Sequence, residues 1–496
     1  MKIKPEISKG GHVFDLALGE TAVFRLKDGT SRKIKLMEVN EPRCRVRGVI
    51  RFPEITIDVD GERAKVPAGL YNSPQLVNGV KIGCSLTHDM AEILKKQSDW
   101  RAFDKDARIR CWGPDEPLFG TPPLVYPVKQ RWFATMTQMT NERTCVGSGE
   151  LPLNKPGEYI YYHDGMDIGG HDKAVPVVAA HGGKVMSCGN EVASDHDENG
   201  WDLRYDRVVI RDDSGWYYLY SHLDMLSPAL KAGDHIKAGD FIGVLGKEGS
   251  SGGWGHLHFS IRSLQPSGRY GEVDGYPFLV EAYLNEHPGE LLACARPHLV
   301  AAVGETVELD GSRSICDGGK ITSFRWNLHD GKIVDGIKAA KVYQQEGLYS
   351  EMLTVRDNRG KEDVDFCVVQ ILPPDATPEK TPPSMNLTCY PTENIHVGQP
   401  VAFKVRTFFK EEFSANKGGE EIWDFGDGTT ATSCSDPDNP RWNVILTYGD
   451  SKNSDYAERW HAYDKPGRYI VTVRRTGKNH LTAMAQVKVD VAKKRN

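Results

Sequence analysis

Short alternations of apolar and polar residues run through most of the chain. "TAVFRLKDG" (21–29) and "RFPEITIDVDG" (51–61) set apolar side chains at every second position, the period of a half-buried β-strand. Within 1–145 the pattern is interrupted by one helical run, "THDMAEILKKQSDW" (87–100). The polar stretch "GSGELPLNKPGE" (147–158) opens a second region, 146–288, which closes on a short predicted helix, "PFLVEAYLNEH" (277–287). Beyond it the chain repeats itself. "CARPHLVAAVGETVELDGS" from Cys294 parallels "CYPTENIHVGQPVAFKVR" from Cys389, and "SFRWNLHDG" parallels "EIWDFGDGT". Trp326, Tyr343 and Tyr349 thereby align with Trp423, Tyr463 and Tyr469. From Trp to the first Tyr is 17 positions in one copy and 40 in the other, so the second carries 23 extra residues within about 429–456. Two tandem β-sandwiches explain such a repeat, and the proline-rich "LPPDATPEKTPP" between them reads as a semi-rigid spacer.

Composition narrows this picture. A chain of 496 residues is too long for one core, and about three or four domains are expected. Fifty glycines and 28 prolines favour short strands and turns over long helices. A net charge of −6 with no basic run of five argues against nucleic acid or an anionic membrane surface as the main partner. No apolar stretch approaches the roughly 18 residues of a membrane span. The start, "MKIKPEISKGG", lacks the apolar core of a secretion signal, which fits either an intracellular protein or a mature form. Ten cysteines, none in a CxxC pair, exclude zinc ribbons and favour disulfides in an exported protein over buried thiols.

Candidate chemistry lies in 146–288. "YYHDGMDIGG" offers His163 and Asp167, "WYYLYSHLDML" offers His222, and "GGWGHLHFSI" offers His256 and His258. In a strand, His256 and His258 share one face while Leu257 and Phe259 turn to a core. A hydrolytic zinc needs three His, Asp or Glu ligands and an open position for water, so four histidines and an aspartate leave imidazoles over for proton transfer. Spacing alone does not separate ligand from base within "HLH". No HExxH helix occurs, which excludes a thermolysin-like arrangement. His171, His181, His196 and His235 read as ordinary surface or core residues.

The motifs of this region, in order "VPVVAAHGGKV", "YLYSHL", "LKAGDHIKAGDFIGVLGKEGSSGG" and "HLHF" after "HDGMDIGG", resemble the lysostaphin-type zinc peptidases of family M23. The resemblance covers about 120 residues, roughly a quarter of the chain. It implies His163, Asp167 and His258 as zinc ligands, His222 and His256 as the catalytic pair, and an antiparallel β-sheet with the metal in an open groove. Ser260 stands where the family usually has Glu, and Gly255 where it has Pro. Tyr161 or Tyr162 would be the assisting tyrosine of some relatives. "WDFGDGT" and "HAYDKPGRYIVTV" resemble a PKD domain, with the first copy more divergent. Asp424 and Asp427 in the second copy raise calcium as a second metal, against ordinary turn hydrogen bonds.

The expected protein is mainly β and multi-domain. A β-rich N-terminal domain (1–145), an antiparallel β-sheet metallopeptidase domain (146–288), a divergent PKD-like sandwich (289–373), a linker (374–385) and a PKD-like sandwich with an insertion (386–493) follow one another. Its expected activity is zinc-dependent endopeptidase cleavage of bacterial peptidoglycan cross-links, outside the cell or in the periplasm. The rivals are a secreted zinc protease acting on extracellular protein and a non-catalytic regulator of the same fold. For 1–145 no motif decides between a gate over the groove and added substrate contacts.

Overall fold

The computed structural model describes residues 9–43, 50–95, 102–132, 134–135, 163–197, 201–373, 384–408, 419–435, 456–477 and 480–494. Strand makes up 52% of the structure and helix 4%, so the protein is mainly β. The alternation read from the sequence is visible in burial: Ile55, Ile57 and Val59 are fully buried on one face of Glu54–Val59. Two four-stranded antiparallel sheets enclose the N-terminal core of Phe24, Ile34, Ile57, Ile82 and Ile109. The predicted helix there is His88–Lys95.

The central unit carries an eight-stranded sheet. Its middle strands, Tyr217–Ser221 and His256–Leu264, pair antiparallel, and Met166–Gly169 adds to the start of the latter. A three-stranded sheet of Pro176–Val178, Phe241–Leu245 and Leu223–Leu226 packs against it. Tyr276–Glu286 is the closing helix, and it buries Phe278, Leu279 and Tyr283. Leu257 and Phe259 are fully buried in this core, as strand alternation requires. The core also takes in Leu70, Tyr71, Phe119, Tyr126, Val128 and Trp132 from earlier in the chain. Val128 bridges Val177, and the Val125 amide donates to the Ala180 carbonyl, so the run 118–132 is built into the central unit.

Two sandwiches follow. Trp326 and Trp423 are each fully buried at the centre of separate cores, with Tyr343 and Tyr463 beside them. The repeat thus reflects one packing scheme used twice. The 23-residue insertion falls mostly on 436–455, outside the described residues. Asp424 and Asp427 accept hydrogen bonds from the Gly426 and Thr429 amides, and Asp427 also meets His461 at 2.7 Å. Their carboxylates are occupied in turns, and among the described residues neither belongs to a group of three metal-ligating side chains.

For seven of the ten cysteines the disulfide expectation is corrected: Cys84, Cys111, Cys188, Cys294, Cys316, Cys367 and Cys389 are thiols. All but Cys316 are buried, where sulfur packs as a small apolar group. Burial pushes the Cys84 thiol up to about 12, which makes it inert toward oxidation. Cys44 and Cys145 lie outside the described residues.

Candidate metal centre

The centre is assembled by strand register. Met166–Gly169 and His256–Phe259 pair so that Asp167 stands directly opposite His258. Asp167 Oδ1 lies 2.8 Å from His258 Nδ1. His163, on the turn before the strand, brings Nε2 to 3.2 Å from Asp167 Oδ2. The donor atoms of His163, Asp167 and His258 all fall within 4.8 Å of one another. Two imidazoles and a carboxylate at that separation suit a tetrahedral divalent ion with one place open. Gly165 makes the turn feasible: its φ is +71°, and a Cβ there would lie 2.7 Å from the Phe259 carbonyl oxygen. Its amide donates to the buried Glu272 carboxylate.

The electrostatics follow from this burial. Desolvation pushes the Asp167 carboxyl up, but His163 above all reverses it and holds it well below the carboxylate range. His163 is pushed down by burial and carried up to about 9 by Asp167. The cluster is therefore a fixed negative charge ringed by imidazoles.

His222 and His256 complete the arrangement. Their ring centroids are 4.7 Å apart, and His222 lies 5.9 Å from His258. His222 Nδ1 is 2.7 Å from the Glu248 carbonyl oxygen, and His256 Nδ1 is 3.0 Å from that of Trp254. A carbonyl only accepts, so both Nδ1 atoms carry protons and both Nε2 atoms keep a lone pair. Burial pushes both imidazoles down, His256 to about 3, which keeps them neutral. His222 has φ +68° and is fixed by its amide, which donates to Asp206 at 2.9 Å. Arg204 in turn binds Asp206 at 2.7 Å.

All five residues singled out from the sequence come together. His171, His181, His196 and His235 stand apart from the cluster: His181 stacks on Tyr218, and His171 Nδ1 sits 3.0 Å from the Asp172 carbonyl. Tyr161 and Tyr162 lie outside the described residues. Sequence reasoning missed several supports. Ser260 Oγ meets His258 Nε2 at 2.9 Å, and Trp254 stacks on His256 with centroids 3.8 Å apart. Tyr71 reaches His163 Nδ1 at 3.1 Å. The second sandwich grips the glycine-rich loop that carries Trp254. Arg406 donates to the Gly253 carbonyl and the Gly255 amide donates to Tyr456 at 3.0 Å, while Lys404 pairs at 2.9 Å with Asp172, on a separate turn. Trp254 and Ser260 left a local signal, their places inside "GGWGHLHFS", though nothing in that motif assigns Ser260 this role.

Residues 161–270 match the model of peptidase family M23, and residues 292–371 match a PKD domain. The chain carries an M23 peptidase domain. The PKD match falls on the sandwich whose sequence departs further from the PKD pattern. Collagenase ColA of Bacillus cereus is 32% identical over 69 residues, which is 14% of this chain and 7% of the collagenase. Collagenase ColQ1 of the same species is 36% identical over 62 residues, 12% of this chain and 6% of that protein. The chain thus spans under a tenth of these curated relatives' length. A putative glycyl-glycine endopeptidase LytM from Ruminococcus gnavus is 26% identical, with 32% of this chain and 60% of that one covered and a TM-score of 0.22. Lysostaphin is 21% identical, with 49% and 91% covered and a TM-score of 0.21. The match to the peptidase family falls on residues 161–270, about a fifth of the chain.

Proposed function

We propose that this protein is a secreted or periplasmic zinc endopeptidase that hydrolyses peptide cross-links of bacterial cell-wall peptidoglycan. His163, Asp167 and His258 would hold a single zinc, and His222 and His256 would form the catalytic pair. The observation that carries the reading is the register of Asp167 against His258, with His163 completing a three-donor set within 4.8 Å. Zinc bound there supplies Lewis acidity to a scissile carbonyl and to water. The chain's own residues do the rest. Neutral His222 and His256 each offer an Nε2 lone pair, so one accepts a proton from water and returns it to the leaving amine. The other would take an Nε2 proton from solvent and use it as a hydrogen-bond donor to the developing oxyanion. Arg204 and Asp206 hold the backbone from which His222 projects.

The cell-wall substrate is supported by the M23 motifs and by the likeness to a protein named as a glycyl-glycine endopeptidase. The second reading, cleavage of extracellular protein, is favoured by the short stretch shared with two collagenases. The PKD-type sandwiches serve either substrate as a surface-binding arm. Metal content and muropeptide release from purified wall are measured together on the full chain. One zinc with release supports the proposal. Release from casein or gelatin but not from wall transfers it to protein substrates. Absence of zinc leaves a non-catalytic regulator. His258→Ala loses metal, whereas wild-type activity in that variant would refute its assignment.

A further inference from the structure

His163 is approached from its non-ligand side by a residue 92 positions earlier in the chain. Tyr71 follows the strand Glu62–Pro67 in the N-terminal part and is buried in the central core. Its φ is +65°, a left-handed conformation that bulky residues avoid unless the surroundings hold them there. Those surroundings are visible. Its ring meets Tyr276 edge-on at 6.1 Å, and the Asn72 side chain binds the Gly69 carbonyl at 2.9 Å while accepting from Arg313 at 3.2 Å.

The phenol oxygen lies 3.1 Å from the Gly165 carbonyl oxygen and 3.1 Å from His163 Nδ1. A carbonyl oxygen cannot donate, so the phenol proton goes to Gly165 and the oxygen offers a lone pair to Nδ1. Nδ1 therefore keeps its proton, and Nε2, the atom 3.2 Å from Asp167, is the nitrogen that would give up its proton to a metal. We infer that Tyr71 is a positioning residue that sets the tautomer and ring angle of His163, so that the N-terminal part of the chain is a working support of the metal centre. The inference rests on the zinc reading above. Outer hydrogen bonds of this kind are general determinants of metal affinity.

Tyr71→Phe in the full chain keeps the ring packing and removes one oxygen. Zinc affinity is read by competition with a chromogenic chelator, and His163 is followed by nitrogen chemical shifts in wild type and variant. The variant is expected to bind zinc about 10- to 100-fold more weakly, with unchanged far-UV circular dichroism. In zinc-loaded wild type, His163 is expected to be protonated at Nδ1 and metal-bound through Nε2. Wild-type affinity in folded Tyr71→Phe, or coordination of wild-type His163 through Nδ1, overturns the inference and leaves the zinc reading intact. A wild-type chain that takes up no zinc overturns both. Should the variant not fold, the wild-type nitrogen shifts decide alone.

Discussion

The two halves of the centre are held in different ways. His163, Asp167 and His258 hold one another, and side-chain hydroxyls reach the outer nitrogens of both imidazoles, Tyr71 on His163 and Ser260 on His258. His222 and His256 instead set Nδ1 against main-chain carbonyls, those of Glu248 and Trp254, with Asp206 as a side-chain support of His222 alone. A side-chain support disappears with a single substitution. A carbonyl does not, and shifts only when its loop shifts. The metal half should therefore be sensitive to point changes in its surroundings. The proposed proton-handling half should also answer to whatever holds the loop 249–255, namely Arg406 and Tyr456 of the second sandwich.

The sharpest break is Asp167→Asn, which removes the charge that both His163 and His258 face. It is expected to abolish metal binding and peptide hydrolysis together, as read by bound zinc after dialysis and by release of peptide amines. His256→Ala should separate the halves: bound metal stays at the wild-type level while turnover falls about 10²- to 10⁴-fold, the usual worth of a positioned acid or base. Loss of zinc in His256→Ala would contradict the division of labour. Ser260→Ala should weaken zinc about 10- to 100-fold, visible in chelator competition, whereas Ser260→Thr, which retains a hydroxyl, should bind close to normally.

The smallest effect belongs to the sandwich contact. Lys404→Met leaves Asp172 buried without its ammonium, at a cost of about 3–5 kcal/mol in stability, while zinc stays bound. Burial pushes the Asp172 carboxyl up, and Lys404 more than offsets it, so the group lies below its ordinary 3.8. A depressed carboxyl stabilises the fold above its unfolded value and loses that contribution as pH falls through the folded one. The stability gap between wild type and Lys404→Met should accordingly be full near neutrality and shrink below about pH 4. A gap that widens in acid would contradict the pairing.

This contrast also marks what the amino-acid sequence makes legible. The five centre residues sit in short motifs, and strand alternation places His256 beside His258 with Leu257 and Phe259 behind them. Each fact there needs only a few consecutive residues. Tyr71 and His163 are 92 positions apart, and Lys404 and Asp172 are 232 apart, so no local pattern connects them. The run 118–132 is similar: its aromatics and prolines show no period, yet Phe119, Tyr126 and Trp132 fill the central core. The even count of cysteines misled because strands bury thiols as readily as methyl groups, as Cys84 and Cys111 show on neighbouring strands. The tandem repeat was legible because Trp326 and Trp423 occupy equivalent central positions in their sandwiches.

Zinc stoichiometry by equilibrium dialysis, on wild type and Asp167→Asn side by side, tests the central claim most directly. The account predicts one tightly held zinc per wild-type chain and none in Asp167→Asn. A wild-type chain without zinc, or a variant that still binds one, would contradict it.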